Sequence, residues 1–153
     1  MLCGLENVAE CGWTEPEALR GLMAHELGHL AHQHWRVQAG LAPVSSGPLW
    51  DLYEEGFAQR CENVILGRDT WHEMTGTYSA EWLPWCQARR RWLAAEFVRR
   101  LEAGKDTRPF FGSWLEVHGV KQTGYFLGHE LVCALEAEHS LQDIACFEEA
   151  QID

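Results

Sequence analysis

Basic residues are scarce in this sequence. Lys and Arg number 12 against 23 Asp and Glu, leaving a formal net charge of −11. Nucleic-acid binding draws much of its affinity from basic side chains on phosphates, so this balance excludes nucleic acid as an expected partner. Long hydrophobic runs are missing as well. No stretch approaches the ~18 apolar residues of a membrane-crossing helix, so no membrane partner is expected. The opening "MLCGLENVAECG" has neither a basic leader nor a long apolar segment. It does not read as a signal peptide, and a cytoplasmic location is expected. The six cysteines, at 3, 11, 61, 86, 133 and 146, form no C-x-x-C pair. A cysteine zinc ribbon is thus unsupported, and the thiols are expected to be reduced and mostly buried. Strand-like alternation is nearly absent, and there is no internal repeat or linker.

What remains is a helical pattern. With 153 residues, 46% of them hydrophobic and 23% charged, the chain suits one globular domain over 1–153 with one core. The fold class expected is mainly α. "TEPE" opens the first helix, with Thr14 as N-cap, Pro16 in the first turn and Glu17 completing a capping box. Leu19, Leu22, Met23, Leu27, Leu30 and Ala31 follow at helical spacing and are expected to bury that helix, which stops at Gly40. A second helix runs from Pro48 to a C-cap at Gly67, and residues 68–78 are irregular. Ser79 caps a third that ends at Gly104, with Trp82, Trp85, Trp92 and Phe97 as core and its arginines solvated. A loop with one or two helical turns leads to a fourth helix over Thr123–His139. A fifth, "SLQDIACFEEA", is capped by Ser140 with Asp143. A strand is possible only around 5–10.

Within the first helix, "HELGHLAHQH" carries four histidines at 25, 29, 32 and 34. His25 and His29 are one helical turn apart, about 5–6 Å at Cβ, and can chelate one tetrahedral Zn²⁺. Glu26, turned about 100° from His25, is poorly placed as a ligand but well placed to reach a water in the open position. This is the chemistry of H-E-x-x-H: two ligands and a general base on one turn. Gly28 costs about 1 kcal/mol of helix propensity, which signals that something packs close there. The longer pattern H-E-x-x-H-x-x-G-x-x-H fails, because its glycine position holds His32 and its last position Trp35. His32 and His34 are therefore read as outside the ligand set, either behind it or solvated.

A catalytic zinc needs a third protein ligand and an open position. "LYEEGFAQ" offers Glu54 and Glu55, and the stripe Leu52, Ala58, Cys61 favours Glu55 as the inward one. Gly56 would let the helices approach closely, and Asp51, one turn before Glu55, would support a ligand by a hydrogen bond.

"HELGH", "EEGFA" and "GYFLGHELV", in that order, resemble the gluzincin metallopeptidases of the peptidase-MA-like group. The resemblance implies a single-domain, zincin-like helical fold and a zinc-dependent hydrolase acting on a peptide or protein substrate. It implies His25, His29 and Glu55 as zinc ligands, Glu26 as general base and Tyr125 as a donor to the oxyanion, with Gly128 for close packing. His118 and His129 rank behind Tyr125 as donors. Zincins usually place a small β-sheet before the H-E-x-x-H helix, whereas some 13 residues precede it here. The sheet is expected to be reduced to one strand or missing, or the chain to be a fragment. Two other readings stay open. One is a zinc-binding relative without catalysis. The other is a di-iron carboxylate bundle built on Glu26-x-x-His29 and Glu136-x-x-His139 with Glu55 and Glu96.

Overall fold

The computed structural model describes residues 16–41, 46–67, 79–112 and 115–152. The expected capping box at Thr14, the strand around 5–10, the irregular stretch 68–78, Cys3 and Cys11 lie outside or almost outside these. The described chain is mainly helical and contains no strand, only an isolated bridge between Val117 and Val120. Four longer helices carry it: α1 (Pro16–Gln38), α2 (Pro48–Ile65), α3 (Trp82–Glu102) and α4 (Thr123–Leu135). A 3-10 turn (Arg108–Phe110) sits between α3 and α4, and two short helices follow, α5 (Leu141–Ala145) and α6 (Glu149–Ile152). No described helix is long and apolar enough to cross a membrane.

Helix ends follow local chemistry. Gly40, Gly67 and Gly104 each adopt a left-handed φ just past α1, α2 and α3, as expected of helix-stopping glycines. Ser140 and Asp143 form the expected capping box at α5. Three boundaries differ. α4 ends at Leu135 rather than His139, its ladder giving way to three-residue turns such as that from the Glu138 amide to the Leu135 carbonyl. α3 begins at Trp82 rather than at Ser79; the Ser79 carbonyl accepts from the Trp82 amide in a preceding turn. The expected fifth helix is two pieces. Arg36 Nη1 donates to the carbonyls of Ala145 (3.2 Å) and Phe147 (2.7 Å), which draws them out of a continuous helical ladder.

α2 is the central element, packed against α1 on one side and α4 on the other. Its apolar residues divide between two core clusters. Leu52 joins Trp82, Leu93, Phe97, Phe110, Phe126 and Leu127, while Trp50, Tyr53, Phe57 and Cys61 join Val132, Ile144 and Phe147. Glycines set both contacts of α2. A Cβ on Gly28 of α1 would lie 2.8 Å from Ala58 Cα, and one on Gly56 would lie 2.1 Å from the carbonyl carbon of Gly128 on α4. At both crossings backbone meets backbone, which only glycine permits.

That close packing corrects the expected orientation of α1. The buried face is Ala18, Gly21, Leu22, Ala24, His25, Gly28, His32 and Arg36. Leu19, Met23, Leu27 and Leu30 are exposed, by 41–60%. Leucines cannot enter a crossing where backbones approach this closely, so the small and histidine face turns inward instead. In α3, Trp82 and Phe97 are buried as expected and Trp85 packs on the core, but Trp92 is exposed and meets His118 edge to face. The four described cysteines are free; Cys61 and Cys86 are buried, Cys133 and Cys146 half-buried.

Candidate metal centre

The α1–α2 crossing brings the H-E-x-x-H turn against the first turns of α2. His25 Nε2 is 3.2 Å from Glu55 Oε2, and His29 Nε2 is 3.7 Å from the same oxygen. The two imidazoles meet edge to face, with centroids 5.0 Å apart. Ligand atoms of His25, His29 and Glu55 all lie within 4.8 Å of one another, and no other such trio occurs among the described residues. Tetrahedral zinc with bonds near 2.0–2.1 Å holds its ligand atoms about 3.3 Å apart, close to these spacings. His29 Nε2 is also buried without a hydrogen bond, as a nitrogen reserved for a metal would be. The donor set therefore fits zinc, and Glu55 rather than Glu54 faces it.

The charges around the trio are coupled. Burial raises the Glu55 carboxyl, but the hydrogen bond with His25 and the closeness of both imidazoles outweigh it and bring the group down to about 2. Burial lowers His29, yet Glu55, Glu26 and Glu54 more than compensate and raise it. Glu54 is raised by burial and by neighbouring Glu55 and Asp51.

The donor expected at the oxyanion lies beside the trio. The Tyr125 ring is 6.1 Å from the His25 ring, and Phe111 supports its other side. Burial, then the charges of Glu55 and Glu26, raise its hydroxyl pKa, so it keeps its proton and remains a donor. Glu26, half-buried on the same turn as His25, acts electrostatically on both His29 and Tyr125. The other donor candidates have different neighbours. His118 meets Trp92 edge to face, and buried His129 pairs through Nε2 with Asn63 at 2.9 Å.

No family model, curated protein or solved structure matches this chain.

One side chain departs from the expectations. Asp51 is exposed and makes no hydrogen bond to His25, His29 or Glu55. The carboxylate behind the site is instead Glu62, two turns past Glu55, fully buried, with Oε2 at 3.8 Å from His25 Nδ1. Its signal in the sequence is only its seven-residue spacing from Glu55, which places both on one helix face. Of the two places open to His32, behind the ligands or in solvent, it takes the buried one. It is buried between Tyr53 and Phe57, with Nδ1 3.7 Å from Glu54 Oε1, while His34 is exposed as expected. The remaining carboxylates of the di-iron reading are taken up by arginines: Glu96 by Arg99 and Arg100, Glu136 by Arg60.

His32 makes folding pH-dependent. Burial, then the charges of Arg36 and His29, lower its pKa from 6.5 to about 4. Between those values the unfolded chain binds a proton that the folded chain refuses. Its contribution is thus complete above pH 6.5 and is lost as pH falls toward 4. The slope reaches at most about 1.4 kcal/mol per pH unit. Urea unfolding between these pH values is expected to show a flatter dependence for His32→Leu than for the parent; an unchanged slope assigns the effect to other groups.

Proposed function

We propose that this chain is a zinc-dependent hydrolase acting on peptide bonds, similar to the gluzincins that "HELGH", "EEGFA" and "GYFLG" resemble. The observation that carries the reading is the convergence of His25, His29 and Glu55 on one point, with Glu26 on the same helical turn as the two histidines. A bound zinc ion would polarise a substrate carbonyl and lower the pKa of a water toward about 7.

The protein groups then have separate tasks. His25 and His29 present Nε2, and Glu55 one carboxylate oxygen, from two rigid helices. Glu26 takes a proton from the attacking water and delivers it to the departing amine. Tyr125, held protonated by burial and by two nearby carboxylates, donates to the oxygen that gains charge as the carbonyl carbon becomes tetrahedral. The substrate is a peptide or protein segment.

The reading is tested by metal analysis together with cleavage of an unstructured protein substrate. The purified chain is expected to hold one zinc, to lose cleavage on chelation and to regain it when zinc is returned. Glu55→Ala is expected to lose most of the zinc at a free-metal level that saturates the parent; unchanged content excludes Glu55 as a ligand. Tyr125→Phe is expected to keep its zinc and to lower kcat roughly a hundredfold. Zinc binding with no cleavage of any peptide would favour a non-catalytic zinc protein. Two irons per chain would exclude zinc chemistry.

A further inference from the structure

His25 lies between two carboxylates. Its Nε2 faces Glu55 at 3.2 Å, and its Nδ1 faces Glu62 at 3.8 Å. Glu62 is 0% exposed, and nothing in hydrolysis by Glu26, Tyr125 and the ligand trio uses it. Withdrawing a carboxylate from water is expensive unless charge or hydrogen bonds compensate. The surroundings of Glu62 are built to keep it there. Gln59 Nε2 donates to Glu62 Oε2 at 2.9 Å from one turn earlier on α2. On α1, Gly21 leaves the space: a Cβ there would come within 3.3 Å of Glu62 Oε1. Gly21 is also one turn before His25, so the opening and the imidazole share one helix face.

We infer that Glu62 is a positioning residue for the metal centre: it accepts the proton on His25 Nδ1 and so commits the Nε2 lone pair to the metal. A neutral imidazole carries its proton on one nitrogen and offers the other as ligand, and the partner of the first decides which. The inference rests on the zinc reading above. Glu62 touches neither the substrate nor the metal and acts through His25; Gln59 acts one step further back, by holding the carboxylate.

The experiment combines zinc affinity with imidazole ¹⁵N NMR on the full-length chain. In the zinc-loaded parent, His25 is expected as the Nδ1–H tautomer, with that proton shifted downfield by a carboxylate acceptor. Glu62→Gln, close in shape, is expected to move the resonance upfield and weaken zinc binding roughly ten- to a hundredfold. Glu62→Asp is expected to recover part of both. A purely structural role predicts lower stability with the His25 proton signal unmoved in molecules that still fold. Zinc bound through His25 Nδ1, or an unchanged resonance and affinity in Glu62→Gln, overturns the inference while leaving the zinc reading intact. Failure of the parent to bind zinc overturns both. Should Glu62→Gln not fold, the tautomer in the parent decides.

Discussion

Glu26→Gln is expected to keep the zinc and to lose peptide hydrolysis by about a hundredfold to ten-thousandfold, the range a general base commonly supplies. The amide matches the carboxylate in size, so packing around this half-buried side chain changes little. It cannot, however, take a proton from water at neutral pH. Glu26 is also not one of the three converging groups, so metal content is predicted to be independent of it. The diagnostic pattern is therefore full zinc with lost kcat, read by metal analysis and steady-state cleavage of the same preparation. Retained cleavage would move the base elsewhere. Glu54 would be the next candidate, because burial, Glu55 and Asp51 already raise its affinity for a proton. Loss of zinc in Glu26→Gln would instead make Glu26 part of the ligand set.

Gly56→Ala is expected to destabilise the fold by about 3 kcal/mol or more, the upper end of overpacking costs. The added Cβ would sit 2.1–2.6 Å from the backbone of Gly128, where no flexible side chain can yield. α2 and α4 must then separate. Glu55, the adjacent residue, shifts with α2, so zinc affinity is predicted to fall along with stability. For a chain of this size such a loss lowers Tm by roughly 6–12 °C. Gly47→Ser is the control. Gly47 is the N-cap of α2 with open space around it and an extended φ of 172°, so serine is tolerated there and is expected to leave Tm almost unchanged. Equal effects of the two substitutions would refute the backbone-contact explanation.

The glycines show how the sequence could be read and where it could not. Gly28 and Gly56 announce close approach, because glycine inside a helix is otherwise a cost. Each does sit at a crossing where a Cβ would strike another backbone. What they approach is a tertiary fact. The same crossings reversed the expected orientation of α1, turning Leu19, Met23, Leu27 and Leu30 outward. Hydrophobic periodicity marks a face, but the space available decides which face is buried. For α1, His25, His32, the small residues and Leu22 fit, and the other leucines do not.

The metal centre divides in the same way. Local spacing alone puts His25 and His29 one turn apart, sets Glu26 aside as a separate actor, and separates both from His32 and His34. Sequence also limits the third ligand to Glu54 or Glu55, with a preference for Glu55 from its apolar neighbours. Only the α1–α2 contact brings Glu55 Oε2 to 3.2 and 3.7 Å of the two imidazoles, and leaves Glu54 beside His32. The choice of Glu62 over Asp51 behind the site was likewise not written locally. Both residues lie on α2 near Glu55, but Asp51 ends in solvent while Glu62 ends under Gly21 and His25. By itself the sequence determined the four longer helices, the glycine stops of the first three, and the one-turn spacing of the proposed ligands and base, since these depend on neighbours a few residues apart. The tertiary structure alone decided which carboxylate meets which imidazole, because that depends on how closely two backbones can pack, and here glycines at both faces of α2 set that distance.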